Sequence, residues 1–241
     1  MIKSQEASSY KLSWLLLISV FPLFGAFLFL YIRTDAGARK SKKILHEILE
    51  ETKEYQITGK KVREAIKEED AHLNKLSNYI ESQGGYPAYT NTKVTYYTLG
   101  DYCYEKIIED LETAKSFIFL EFFIVEEGKF WNSVLEVLER KAKEGVEVRM
   151  MYDDIGSIAT LPRNYYEVLR KKGINTRAYG ELFPLLSTHY NNRDHRKILS
   201  IDNRIVYTGG INLADEYINE VTVHGHWKDT ALRLEGDAVN S

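Results

Sequence analysis

From Thr92 onward the apolar residues switch between a period of two and a period near 3.6, and this alternation leaves few folds open. Val94 to Leu99 reads as a strand and Tyr102 to Lys115 as a helix. A strand follows at Ser116 to Val125, then a helix at Phe130 to Glu144 that Gly145 closes. Val146 to Tyr152 reads as a strand, Tyr165 to Lys172 as a helix ended by Gly173, and Asn175 to Tyr179 as another strand. Such strand–helix–strand units predict an α/β domain, a mostly parallel sheet flanked by helices on both faces. Ligand sites in sheets of this kind gather at the carboxyl ends of the strands. Two further strands, Arg196 to Asp202 and Arg204 to Thr208, join through an Asp202-Asn203 turn.

The chain before this domain has a different composition. From Leu12 to Ile32 no residue is charged, and about 20 apolar residues suffice for a helix to cross the hydrocarbon layer. The run predicts a transmembrane helix over residues 12–32, with Pro22 and Gly25 tolerated as they are in membrane spans. Lys3 and Lys11 precede it, whereas Arg33, Arg39, Lys40, Lys42 and Lys43 follow it. That asymmetry predicts residues 1–11 as a tail away from the cytoplasm, and a cell-membrane protein whose catalytic domain faces the cytoplasm. Residues 33–85 carry apolar positions at helical spacing, among them Ile44, Ile48, Val62, Ile66, Leu73 and Ile80, and predict an amphipathic helical linker broken near Thr58-Gly59. The turn-rich Gln83-Gly84-Gly85-Tyr86-Pro87 marks the start of a globular domain over residues 86–241.

A formal net charge of −3 argues against a generic nucleic-acid binder, so no nucleic acid is expected as a partner. The lone cysteine, Cys103, rules out an intrachain disulfide and sits in an apolar run, as a small buried hydrophobe would.

His195 and Lys197 stand two apart on a predicted strand, so an imidazole and an ammonium face the same way, an arrangement suited to a phosphate. With Asp202, Gly209, Gly210 and Asn212 they form the order His-x-Lys-x4-Asp-x6-Gly-Gly-x-Asn. This order resembles the HKD signature of the phospholipase D superfamily. Phe119-Leu120-Glu121-Phe122-Phe123, the stretch Val148 to Ser157 and Trp227-Lys228-Asp229 resemble bacterial cardiolipin synthases in particular. The resemblance implies a phospholipase D-like half that makes cardiolipin from two phosphatidylglycerol molecules through a phosphohistidine at His195. It implies a catalytic set of His195, Lys197, Asp202 and Asp229, with Asp229 holding the imidazole, and substrate binding by Gly209, Gly210 and Asn212. Anionic membrane lipids are then the partners, and no cofactor is implied.

Family members carry two signatures and this chain carries one. The resemblance therefore implies a second half-site, on a segment beyond Ser241 or on a homodimer partner, and a further span upstream. A tethered phosphodiesterase using water, or an inactive domain binding anionic lipid, are the competing readings.

Alternation gives Asp202 a different task, since it lies on the strand face opposite His195 and Lys197 and is expected to fix the hairpin. Asp153 and Asp154 end a strand, where they either face the site or cap a turn. Glu121, inside an aromatic strand, requires a partner if buried. Arg193 is either an exposed arginine or a lipid-phosphate contact. His224 and His226 lack a carboxylate or cysteine to complete ligand spacing, so no metal is expected.

Overall fold

The computed structural model describes residues 8–33, 36–52, 58–180 and 193–240. Two compact units make up the chain, an amino-terminal one up to residue 54 and a larger one that holds the sheet.

In the first unit the uncharged run is not one helix. It forms α1 (Ser8–Val20) and α2 (Pro22–Arg33), separated at Phe21. Pro22 has no N–H to donate and its ring disfavours helical backbone at Phe21, so the helix ends there. The chain then doubles back: the Trp14 and Phe29 rings meet at 5.4 Å, and a Cβ on Gly25 would stand 2.9 Å from the Ile18 Cα. Helices of 13 and 12 residues reach about 20 Å, short of the ~30 Å hydrocarbon layer. Among the described residues no helix is long and apolar enough to cross a membrane, which corrects the span predicted over 12–32. Residues 1–7 of the predicted tail lie outside the described residues.

Three helices occupy the predicted linker: α3 (Ala36–Thr52), α4 (Lys60–Glu69) and α5 (Ala71–Gly84). Asp70 ends α4 and begins α5, its carboxylate accepting the His72 N–H at 2.6 Å, and Gly85 stops α5 in the left-handed conformation. Arg63 on α4 ties to Glu81 and Asn78 on α5.

The larger unit is built on seven strands: β1 (Thr92–Tyr97), β2 (Phe117–Phe122), β3 (Glu147–Asp153), β4 (Asn175–Tyr179), β5 (Ile198–Ile201), β6 (Ile205–Gly209) and β7 (Ala231–Gly236). Their order is β1-β7-β6-β5-β2-β3-β4. Helices α6 (Gly100–Glu112), α7 (Lys129–Lys143) and α8 (Tyr165–Lys171) complete it. Only β2–β3 and β3–β4 pair in parallel; the other four pairings are antiparallel. The sheet is therefore mixed, which corrects the mostly parallel expectation. A parallel pair needs a crossover, and α7 and α8 provide one each, whereas β5 and β6 join through a three-residue turn and can only pair antiparallel.

Burial alternates along the strands. Ile118, Leu120 and Phe122 of β2, Val148, Met150 and Tyr152 of β3, and Leu199 and Ile201 of β5 are buried, together with Trp131, Val134 and Leu138 of α7. On the other face Phe119, Glu121 and Met151 are half-buried and Arg149 is exposed. Among the described residues one face thus carries the core, in place of the two covered faces expected.

Asp202 stands at the turn between β5 and β6, and with Asn203 it adopts the left-handed backbone that a tight hairpin needs. Its carboxylate reaches past the hairpin to β2, accepting the N–H groups of Lys115, Ser116 and Phe117, each at 2.8 Å. Burial pushes its pKa up, but these three bonds outweigh that and hold it below the ordinary carboxylate value. A folded-state pKa below the unfolded one means the stabilisation is present above the unfolded value and lost as pH falls through the lowered one. Asp202→Ala is expected to cost about 2 kcal/mol. A thermal melt should show this as a fall in Tm of roughly 4–8 °C at neutral pH, shrinking towards strongly acidic pH.

Candidate active site

His195 and Lys197 lie just before β5, not within it as predicted. Ile198 of β5 pairs with Glu121 near the carboxyl end of β2, so the two residues arrive where β2 and β3 end. Lys197 begins the buried row continued by Leu199 and Ile201 and is 5% exposed, whereas His195 is exposed. Strand alternation therefore does not join them. Phe123 does: its ring lies 4.6 Å from the imidazole centroid and 5.2 Å from Lys197 Nζ. Lys197 Nζ also donates to the His195 carbonyl at 2.7 Å.

Asp153, at the end of β3, holds this segment. It is fully buried, and its Oδ1 accepts from Gly156 N at 2.7 Å and from Arg193 Nε at 3.1 Å and Nη2. Its Oδ2 accepts from Asp194 N at 2.9 Å. The two readings of Asp153 are both realised: it closes the turn after β3 and it faces the site. Arg193 is taken up by this pairing and by the Gly180 carbonyl at 3.2 Å.

Glu121 and Asp194 form an acidic pair next to this anchor. Arg196 contacts both, its Nη2 2.7 Å from Glu121 Oε1 and its Nε donating to Asp194 Oδ1 at 3.1 Å. Burial, then the hydrogen bond and charge of Asp194, push the Glu121 carboxyl up to about 7 against the pull of Arg196. Asp194 is raised by burial, but its hydrogen bonds with Glu121 and Arg196 outweigh this and leave it below the ordinary value.

Burial pulls the Lys197 ammonium below its ordinary pKa, and the charges of Asp229 and Asp194 oppose the shift. Asp229 lies against Gly210, where a Cβ would stand 2.0 Å from its Oδ1, and it accepts from Thr230 N at 2.7 Å. A Cβ on Gly209 would come within 2.3 Å of the Thr230 carbonyl. The two glycines thus make room for β7 and for Asp229, a packing reason beside the close approach to phosphate expected of them. Among the described residues His195 and Asp229 make no hydrogen bond with each other. Asn212 is buried, its Oδ1 accepting from Ile124 N at 3.0 Å and its side chain bonded to the Tyr217 hydroxyl. It ties the loop after β6 to the end of β2.

Asp202 sits at the opposite end of β5, about 13 Å of strand away, with both oxygens occupied by backbone. His224 and His226 are exposed. Cys103 is buried under Lys197, lining with Phe122, Tyr207 and Ile211 the space beneath it, and burial pushes its thiol up to about 12.

The family described as "Cardiolipin synthase, PLD-like domain" matches residues 107–222. That segment is similar to a phospholipase D-like domain. An uncharacterized protein of Streptococcus mutans is 42% identical over 241 residues, all of this chain and 52% of that protein. The cardiolipin synthase of Alkalihalophilus pseudofirmus is 33% identical over 234 residues, 95% of this chain and 46% of that enzyme. Cardiolipin synthase 2 of Staphylococcus epidermidis is 31% identical over 95% of this chain and 48% of its own. The chain spans about half the length of the curated relatives it matches.

Sequence reasoning did not assign Phe123 or Asp194 to the phospholipase D-like site, and left Asp153 and Glu121 undecided. Phe123 closes an aromatic run that reads as core, and Asp194 is hidden beside a stronger signal, the histidine next to it. A carboxylate in an apolar strand, as Glu121 is, offered the one available sign, because a buried anion demands a partner. Asp153→Ala leaves Arg193 without its counter-ion and Asp194 N without an acceptor, and is expected to cost on the order of 3–5 kcal/mol. Urea unfolding should show the midpoint moving down, with Asp154→Ala as the comparison.

Proposed function

We propose that this chain supplies one half-site of a phosphatidyltransferase like cardiolipin synthase. The observation that carries the reading is an exposed imidazole and a buried ammonium gathered on one aromatic ring at the carboxyl ends of β2 and β3. A phosphodiester is displaced when a nucleophile stands in line and cations cradle the oxygens that gain charge. Neutral His195 forms the new P–N bond to the phosphatidyl group of phosphatidylglycerol, and the P–O bond to glycerol breaks. Lys197 takes the equatorial oxygens. The hydroxyl of a second phosphatidylglycerol then attacks phosphorus and frees the imidazole, giving cardiolipin.

The leaving alkoxide needs a proton that the attacking imidazole cannot give. A second imidazole, from another signature segment or a second copy of the chain, supplies it and later deprotonates the incoming hydroxyl. Asp229, beside Gly210 and acting on Lys197, is the acidic residue assigned to orienting His195, a bond made once phosphate draws the imidazole inward. The exposed apolar residues of α1 and α2, among them Leu16, Leu23, Phe24 and Phe27, support a lipid over a soluble phosphodiester.

Vesicles containing phosphatidylglycerol labelled in both phosphate and glycerol test this. Cardiolipin with free glycerol is the expected outcome, with an acid-labile phosphorus adduct on His195 that His195→Ala abolishes. Lys197→Ala is expected to slow adduct formation by on the order of 10²-fold. Phosphatidic acid in place of cardiolipin would assign water as the acceptor, and absence of any adduct would end the proposal.

A further inference from the structure

One pair of groups in the site has no task in this chemistry. Glu121 and Asp194 lie within hydrogen-bond reach of one another, and Glu121 Oε1 and Asp194 Oδ2 are each buried without a donor. Asp194 is 4% exposed. Arg196 does not fill the gap, because its approach to Oε1 lacks hydrogen-bond alignment and its Nε is already given to Asp194 Oδ1. The remaining charged groups nearby are engaged elsewhere or act only at a distance. Arg149 on β3 and Arg177 on β4 line the same sheet face as Glu121, and Tyr179 at the end of β4 acts on Arg196. Asp153 holds Asp194 by its backbone N–H, Arg193 is paired to Asp153, and Lys197 donates to the His195 carbonyl.

Two ionised carboxylates at this range repel, and each leaves an oxygen buried without a donor. A single proton resolves both faults, with the Glu121 O–H donated to the Asp194 carboxylate. We propose that Glu121 and Asp194 share one proton, and that this pair is a pH-sensitive positioning device for the segment carrying His195 and Lys197. The inference rests on the reading of His195 as nucleophile for its effect on turnover, and on geometry alone for its effect on the fold. Asp194 precedes His195 in the chain, so when the proton leaves, repulsion moves the residue next to the nucleophile. The bond from Lys197 to the His195 carbonyl is strained by the same movement.

The sign comes from Glu121, whose carboxyl is raised from 4.5 to about 7 in the fold. Its contribution to stability is whole below 4.5 and is lost as pH rises to about 7. Glu121→Gln keeps the shape and donates a permanent N–H to Asp194, so it mimics the protonated state at every pH.

Thermal melting of the full chain between about pH 5 and pH 8 is expected to show Tm falling by roughly 3–6 °C in the parent protein. Glu121→Gln should flatten that fall. With phosphatidylglycerol vesicles, kcat of the parent should decline above pH 7 while that of Glu121→Gln holds, with KM unchanged in both. If Glu121→Gln does not fold, Asp194→Asn supplies the donor from the other side and must flatten the melting slope in its place. A parent protein without the slope, or a folded amide variant that keeps it, overturns the proposal. If no vesicle product forms in any protein at any pH, the proposed transfer fails, and the melting slopes still decide the pair.

Discussion

The Asp153 carboxylate is the joint on which this site depends. A fully buried anion costs several kcal/mol unless donors surround it, and this one collects Gly156 N, two nitrogens of Arg193 and Asp194 N. Those donors come from both sides of the chain: one from the turn after β3, the rest from the segment before β5. The carboxylate therefore fastens the signature segment to the end of a parallel strand. Residues Asp194 to Lys197 are thus laid out from an anchored point.

Carboxylates hold the domain together at several places, each by collecting donors from a segment far along the chain. Asp202 does so at the amino end of β2, and Asp215 at the start of α7, where it accepts from Lys129 N and Phe130 N. Inside the core, Asp110 of α6 accepts from Tyr207 of β6 at 2.6 Å and from Arg233 of β7. Burial raises the Asp110 carboxyl, but the bonds from Arg233, Tyr207 and Lys106 outweigh it and keep it ionised. These ties press α6 onto β6 and β7, and β6 pairs with β5. Lys197 can therefore bury its stem over Cys103, Phe122 and Tyr207 while its ammonium donates to the His195 carbonyl.

The helices and strands from 92 to 179 were legible because each presents a clean period, and the capping glycines at 145 and 173 mark true helix ends. The strand Ala231–Gly236 escaped notice, since Ala-Leu-Arg-Leu-Glu carries a buried arginine where an apolar residue would be read. Missing it hid the antiparallel half of the sheet. The uncharged run misled for a related reason. Hydropathy counts residues but not hydrogen bonds, and Pro22 breaks the ladder that a single span requires.

By itself the sequence determined the chemistry on offer: an imidazole, an ammonium and a glycine pair at defined spacing, and an alternation that sends ligands to strand ends. It also placed Asp202 at the hairpin turn and away from His195, although the alternation behind that reading does not reach His195, which lies before β5. Which groups meet was decided only in three dimensions. Phe123 gathers His195 and Lys197, Asp229 nests on Gly210, and Glu121 faces Asp194, all through pairings between distant segments. Local periodicity fixes the direction of a side chain, but sheet register alone fixes its neighbours, and a proton can be shared only between neighbours.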